Sequence, residues 1–284
     1  MVKLSTPVEV KNFPIHIGLE DKVMILGSCF ADSMGKHLAD AGFDVCLNPF
    51  GTVYNPLSIL SSIERLASGN PFELSDCEEM GAGAGLICSF SHHTSFARAT
   101  SEEFLSNANA ALEAASAFWK ACGKVIITLG TAWVWKHEGA VVSNCLKRPG
   151  GEFTHEMIST GEVCEAVRRI MEVAAGKEII FTVSPIRHLS MGAHANQLSK
   201  STLLLGLDAA LEGCKGAACF PSYEIMLDEL RDYRFYGEDL VHPSETAAQI
   251  IWERFRDSVI PSSCHLEIEA NEKAARHSAH RKLR

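Results

Sequence analysis

Ser28 closes a short apolar run, Val23-Met24-Ile25-Leu26-Gly27, and a polar stretch follows it. A glycine and a serine at the carboxyl end of a buried strand stand where α/β proteins place ligands and nucleophiles. Near the other end of the chain, Asp239 and His242 are three apart in Glu238-Asp239-Leu240-Val241-His242. On a short turn that spacing aims both side chains at one point. The carboxylate can then hold the imidazole in the tautomer a general base needs. A serine hydroxyl is a poor nucleophile until such a base takes its proton. The chain order Ser, Asp, His is compatible with hydrolysis, because a triad is defined by geometry and not by order. Ser28 also has a plainer reading, as the N-cap of a helix beginning near Phe30. Cys29 is an alternative nucleophile, although a side chain one residue on is expected to point elsewhere at a helix start.

Other residue types invite weaker readings. His188, in Ser184-Pro185-Ile186-Arg187-His188, follows a strand and falls on the ligand-binding rim, either as a pocket residue or as a structural histidine. Trp133 and Trp135 alternate on a strand, so only one is expected to face the site, and Trp133 is the candidate. His92 and His93 are expected to alternate in and out of a strand; as metal ligands they lack nameable partners, and no metal is expected. Asn196, Ser199 and Lys200 share about one helix turn, where capping is the simpler role. No phosphate loop of the G-x-x-x-x-G-K-[ST] type, no H-E-x-x-H helix and no G-x-S-x-G elbow occurs. Gly81-Ala82-Gly83-Ala84-Gly85 lacks the preceding strand of a dinucleotide loop and reads as a flexible loop.

Composition narrows the function classes. The net charge is −9 over 284 residues, and the pI is about 5.7. That balance repels phosphate backbones and argues against a nucleic-acid partner. The basic stretch near 270–284 reads as a solvated helix end or frayed tail. Ten cysteines are scattered singly, with no C-x-x-C pair and no apolar signal core at the N-terminus. Reduced thiols and a cytoplasmic location are therefore expected. No apolar run reaches the roughly 18–20 residues that a membrane span needs.

These residues need a scaffold, and the chain alternates. Strands are expected at Lys22–Ser28, Phe43–Asn48, Lys124–Gly130 and Glu178–Pro185, with a short last one near 216–220. Helices are expected after each: one closed by Gly42, one from Asn55 to Gly69, and a long one with capping-box spacing at Thr100 and Glu103. Further helices follow, one with a capping box at Ser159 and Glu162, one near 196–214, and one capped by Ser244. Single buried strands alternating with helices predict a parallel sheet covered on both faces, in a three-layer α/β domain. One domain over 1–284 is expected, with insertions near 70–99 and 131–156, the second holding a small β-hairpin.

Gly27-Ser28-Cys29-Phe30-Ala31 is the signature after which the GSCFA family is named. The resemblance looks chain-wide: NPFGTVYNP, LGTAWVW, NCLKRP, TVSPIRH and FPSYEIMLDELRDYRFY read like the family's other blocks. That family resembles the SGNH (GDSL-like) hydrolases, and the resemblance implies their three-layer α/β/α, flavodoxin-like fold. The resemblance implies Ser28 as nucleophile, Asp239 as the orienting acid and His242 as the base. It implies an oxyanion hole from the N–H groups of Ser28 and Gly51 and an asparagine after the third strand. The chain departs there, with Gly130-Thr131-Ala132-Trp133 in place of G-x-N-D. Thr131 or Asn144 is the expected substitute donor. The implied activity is that of a serine esterase or acyltransferase on an O-acyl ester of a carbohydrate or small metabolite, without cofactor. Two rivals stand beside it: a carbohydrate- or metabolite-binding module on the same fold, and a nucleotide or flavin binder at the sheet's switch point.

Overall fold

The computed structural model describes residues 5–83 and 85–282. The first strands form where the sequence is continuously apolar. β1 (Lys22–Gly27) leads into α1 (Cys29–Asp40) and β2 (Asp44–Leu47) into α2 (Pro56–Ser68). Asn55 caps α2 by accepting the Ser58 N–H, and Gly69 ends it in the left-handed region at φ 67°. A two-stranded ladder follows, β3 (Glu78–Glu79) with β4 (Ile87–Cys88). It pairs with neither edge of the main sheet, so the edge strand expected in this region is a separate flap. Ala84, within the expected glycine-rich loop, lies outside the described residues.

The long helix α3 (Ser101–Ala121) feeds β5 (Lys124–Leu129). Thr100 accepts the Glu103 N–H at 3.2 Å, but the reciprocal half of a capping box is not made. The expected hairpin has three strands, β6 (Trp133–His137), β7 (Ala140–Val142) and β8 (Phe153–Met157), with β6 in the middle. Helix α4 (Thr160–Val173) starts with a complete capping box between Ser159 and Glu162. Then come β9 (Glu178–Val183), α5 (Gly192–Leu211), β10 (Ala217–Cys219), the one-turn α6 (Ser222–Glu224), α7 (Glu245–Val259) and α8 (His265–Lys282). The basic C-terminal stretch is helical through Lys282, and the last two residues lie outside the described part.

The central sheet runs β10-β9-β5-β1-β2, all parallel. Numbered within the sheet, that order is the flavodoxin-like 2-1-3-4-5. One apolar layer packs Met24, Ile127 and Phe181 against α2 to α5. The other packs Ile25, Ile126 and Ile180 against α1, α7 and α8. Both faces are thus covered, which is why the strands can be apolar throughout. The strand order reverses around β1, so a crevice opens at the carboxyl ends of β1 and β5.

Candidate active site

Gly27 makes the turn that delivers Ser28. Its φ is +139°, and a Cβ there would meet the Thr128 carbonyl oxygen of β5 at 2.2 Å. Only glycine lets β1 end this close to its neighbour. The turn is pinned from both sides. The Gly27 N–H donates to Asn48 Oδ1 at 2.9 Å, and the Gly27 carbonyl accepts the Val53 N–H at 3.0 Å. Ser28 then occupies the N-cap position of α1, yet its side chain makes no capping hydrogen bond. The residue is fully buried, and its Oγ has no partner at all. The plain N-cap reading is therefore met by the backbone alone. The hydroxyl is unspent.

Asp239 and His242 converge as their spacing requires. Leu240 takes a left-handed conformation at φ 54° and donates its N–H to the Gly237 carbonyl at 3.0 Å, closing the turn. The His242 Nδ1 lies 2.6 Å from Asp239 Oδ2. Oδ1 of the same carboxylate accepts the backbone N–H groups of Val241 at 2.9 Å and His242 at 3.0 Å. Those N–H groups, with the imidazole, push the Asp239 carboxyl down to about 2. This turn is fastened to the loop after β9: the Arg187 N–H donates to the Val241 carbonyl, and its guanidinium to that of Leu240.

Ser28 and His242 line one cavity of about 410 Å³, together with Tyr54, Thr131, Trp133 and His188. Ser28 lies on its buried floor, and His242 is half exposed. No Ser28–His242 hydrogen bond is made in this structure. Cys29 also borders the cavity; its Sγ lies 3.6 Å from the Tyr54 hydroxyl. The expectation that it points away is corrected. A larger hollow of about 590 Å³ between the N-terminal segment and α5 shares no residue with this one. Burial pushes its one thiol, Cys219, up to about 12, so it holds no ready nucleophile.

Both tryptophans face the cavity. Residues i and i+2 of a strand share a face, so the expectation that only one could do so is wrong. Trp135 stacks on His155 with ring centroids 4.0 Å apart and planes 13° apart, and Trp133 lies 4.9 Å from the same imidazole. The partner ring comes from β8, the strand not expected from the sequence.

The oxyanion donors implied by the family resemblance are differently placed. Gly51 is outside the cavity lining, and its N–H is given to the Asn48 carbonyl at 2.8 Å. Its glycine is required because φ is +88° and a Cβ would meet His93 Cβ at 2.1 Å. Asn144 is also outside; its Oδ1 accepts the Leu146 N–H at 2.8 Å. Thr131 borders the cavity, but its hydroxyl bonds Ser199 Oγ at 3.0 Å and accepts the Trp133 N–H at 3.1 Å. The Ser28 N–H points to the Thr128 carbonyl, at 3.3 Å.

Asn196, Ser199 and Lys200 are not caps, because α5 begins at Gly192 and buries all three. They fasten the loops of the site. Asn196 Oδ1 accepts the His188 N–H at 2.8 Å, and Ser199 Oγ accepts the Ala132 N–H at 2.8 Å. Lys200 Nζ donates to the carbonyls of Gly130 at 2.6 Å and Ser184 at 2.7 Å, the ends of β5 and β9. Burial lowers its pKa to about 7. His92 is a core histidine: its Nδ1 lies 2.6 Å from Ser89 Oγ, and its ring sits among Phe50, Phe72 and Phe96. His93 caps the turn at 94–96; the pair lies in that turn region and not in a strand. Among the described residues no group of three His, Cys, Asp or Glu side chains is placed to hold a metal. Nor is any helix long and apolar enough to cross a membrane.

A three-layer α/β protein, with a free buried serine at the switch point and an Asp–His pair across the cavity, is the class that fold and site define. The chain belongs to the GSCFA family, whose sequence pattern matches residues 22–255. Among solved structures, it is similar to an acetyl xylan esterase from the rumen bacterium Butyrivibrio proteoclasticus, with 10% sequence identity and a TM-score of 0.39. The match covers 87% of this chain and 66% of that one. Comparison with curated proteins gives no match.

Proposed function

We propose that the protein is a serine esterase or acyltransferase acting on O-acyl esters. The observation that carries this reading is the Ser28 hydroxyl. It is buried, free of any hydrogen bond, and in the same cavity as a histidine held by a carboxylate. Leaving a buried hydroxyl unpaired costs stability, and a nucleophile is one reason a site keeps it.

Asp239 fixes His242 with Nδ1–H toward the carboxylate, leaving Nε2 as the base. The reaction requires His242 Nε2 within hydrogen-bond reach of Ser28 Oγ. Ser28 Oγ attacks the ester carbonyl as its proton passes to His242 Nε2. The tetrahedral intermediate collapses, and the leaving alcohol departs with that proton. Water or an acceptor alcohol, deprotonated by His242, then attacks the acyl-serine, and the proton returns to Ser28. Trp133 and Trp135 form one wall against the substrate. The wall's flat aromatic faces suit a ring-shaped or elongated group, with a carbohydrate as one candidate.

The test is turnover of acyl-nitrophenyl esters and acetylated sugars by wild type and by Ser28→Ala. Hydrolysis or transfer that disappears in the variant supports the reading. Turnover that persists in Ser28→Ala refutes Ser28 as nucleophile. A wild type that binds such ligands without turning them over would favour the binding module.

A further inference from the structure

When Ser28 attacks an ester, the carbonyl oxygen gains a negative charge and needs hydrogen-bond donors beside it. The backbone N–H groups around the Ser28 floor are largely spent. Those of Gly130 and Thr131 both donate to the Tyr54 carbonyl, at 2.7 and 3.0 Å, and that of Gly51 donates to Asn48. The Thr131 hydroxyl is shared with Ser199 Oγ, and Asn144 is not among the residues lining the cavity. Among the described residues that line this cavity, two buried side-chain N–H groups have no hydrogen-bond partner, Trp133 Nε1 and His188 Nε2, and the second stands next to Ser28. A Cβ on Gly130 would meet Ser28 Cβ at 3.2 Å and His188 Nε2 at 3.4 Å. Gly130 has no side chain, so the serine and the imidazole share the space above it.

We infer that His188 is a catalytic residue whose neutral imidazole donates its Nε2–H to the carbonyl oxygen under attack, in the place of the missing asparagine. This rests on the esterase reading of Ser28. No proton is transferred through His188. The serine proton goes to His242, the carbonyl π electrons move onto oxygen, and the Nε2–H hydrogen bond strengthens as that charge develops.

The surroundings suit a neutral donor. Burial lowers the His188 pKa to about 4, and the positive charges of Lys200 on α5 and of His242 on the rim turn act in the same direction. From the loop after β2, Tyr54 meets the ring edge-on with centroids 6.0 Å apart. The backbone of His188 is held by Asn196. Burial keeps the ring neutral, and the Tyr54 ring packed against it orients it before substrate arrives, which is what preorganised stabilisation requires.

The experiment compares His188→Phe, which keeps an aromatic ring without the donor, with His188→Gln, which keeps an N–H donor. Both are assayed beside wild type and Ser28→Ala on a nitrophenyl ester. His188→Phe is expected to lower kcat by about 100- to 1000-fold with KM changed little. His188→Gln is expected to recover a measurable part. In the imidazole NMR spectrum, wild-type His188 should stay neutral at about pH 6, and its Nε2–H should shift downfield on phosphonylation of Ser28 by a fluorophosphonate. If Ser28→Ala abolishes turnover while folded His188→Phe stays within about threefold of wild type, the inference is overturned and the esterase reading stands. If Ser28→Ala remains active, or wild type turns over no ester, both fall. Should His188→Phe fail to fold, an Nε2–H signal unmoved by phosphonylation overturns the inference.

Discussion

Asp239 grips His242 twice, through its imidazole Nδ1 at 2.6 Å and through its backbone N–H at 3.0 Å. One carboxylate therefore fixes both the turn and the tautomer. Asp239→Asn is expected to lower kcat by about 100- to 10,000-fold, because an amide can favour the wrong tautomer. The carboxyl lies near 2, so Asp239 stays ionised throughout any practical assay range. The pH–rate profile should therefore show no limb from Asp239. A variant with unchanged kcat would remove Asp239 from the mechanism.

The free Ser28 hydroxyl separates activity from stability. Because it makes no capping bond, Ser28→Ala is expected to leave stability unchanged or slightly raised. Ser244→Ala, by contrast, removes the 3.2 Å cap to the Ala247 N–H and should cost about 1 kcal/mol. Urea denaturation of the two variants checks the contrast. In wild type, a fluorophosphonate should label Ser28 and no other serine, as read by peptide mapping.

Trp135 stacks on His155 but remains 40% exposed. Trp135→Ala is expected to raise KM for a bulky ester by about tenfold, with kcat and the kinetics of a small acetyl ester little changed. Stability should move by less than about 1 kcal/mol. Equal losses for both esters would mean that the indole supports the fold and not the substrate.

Lys200 ties stability to pH. Its folded-state pKa is lowered from 10.5 to about 7. Between those values the unfolded chain holds a proton that the folded one lacks, so stability rises with pH across that window. Below about 7 both states carry the proton, and the dependence vanishes. The stability difference between wild type and Lys200→Met should be flat near pH 6 and grow from about pH 7 to 9. The slope should be at most about 1.4 kcal/mol per pH unit. Denaturant titrations across that range decide it, and a difference that falls with pH contradicts the lowered pKa.

The layered fold is legible because β1, β5 and β9 are buried on both faces and read as unbroken apolar runs. Strand β8 is not, because Phe153-Thr154-His155-Glu156-Met157 is mostly polar and finds its partner β6 across a long loop. The first turn of α5, Gly192-Ala193-His194-Ala195, carries no apolar stripe to announce it. In the site, Ser28 and the D-x-x-H turn are legible because local spacing fixes their geometry. The availability of oxyanion donors is not, since it depends on which N–H groups the turns consume: Gly51 spends its own on Asn48. Lys200 did leave a signal. It stands at i, i+3 and i+7 with Leu203 and Leu207, on the face of α5 that enters the core.

Strands β6 to β8 lie within one stretch of chain, between β5 and α4, while Ser28, Asp239 and His242 all come from outside it. The aromatic wall and the proposed serine, aspartate and histidine therefore lie on separate segments of the chain. Trp133, Trp135, Val142 and His155 can be exchanged without touching Ser28 or the Asp239–His242 pair, so on the esterase reading a lineage can acquire new tastes while inheriting one unaltered chemistry.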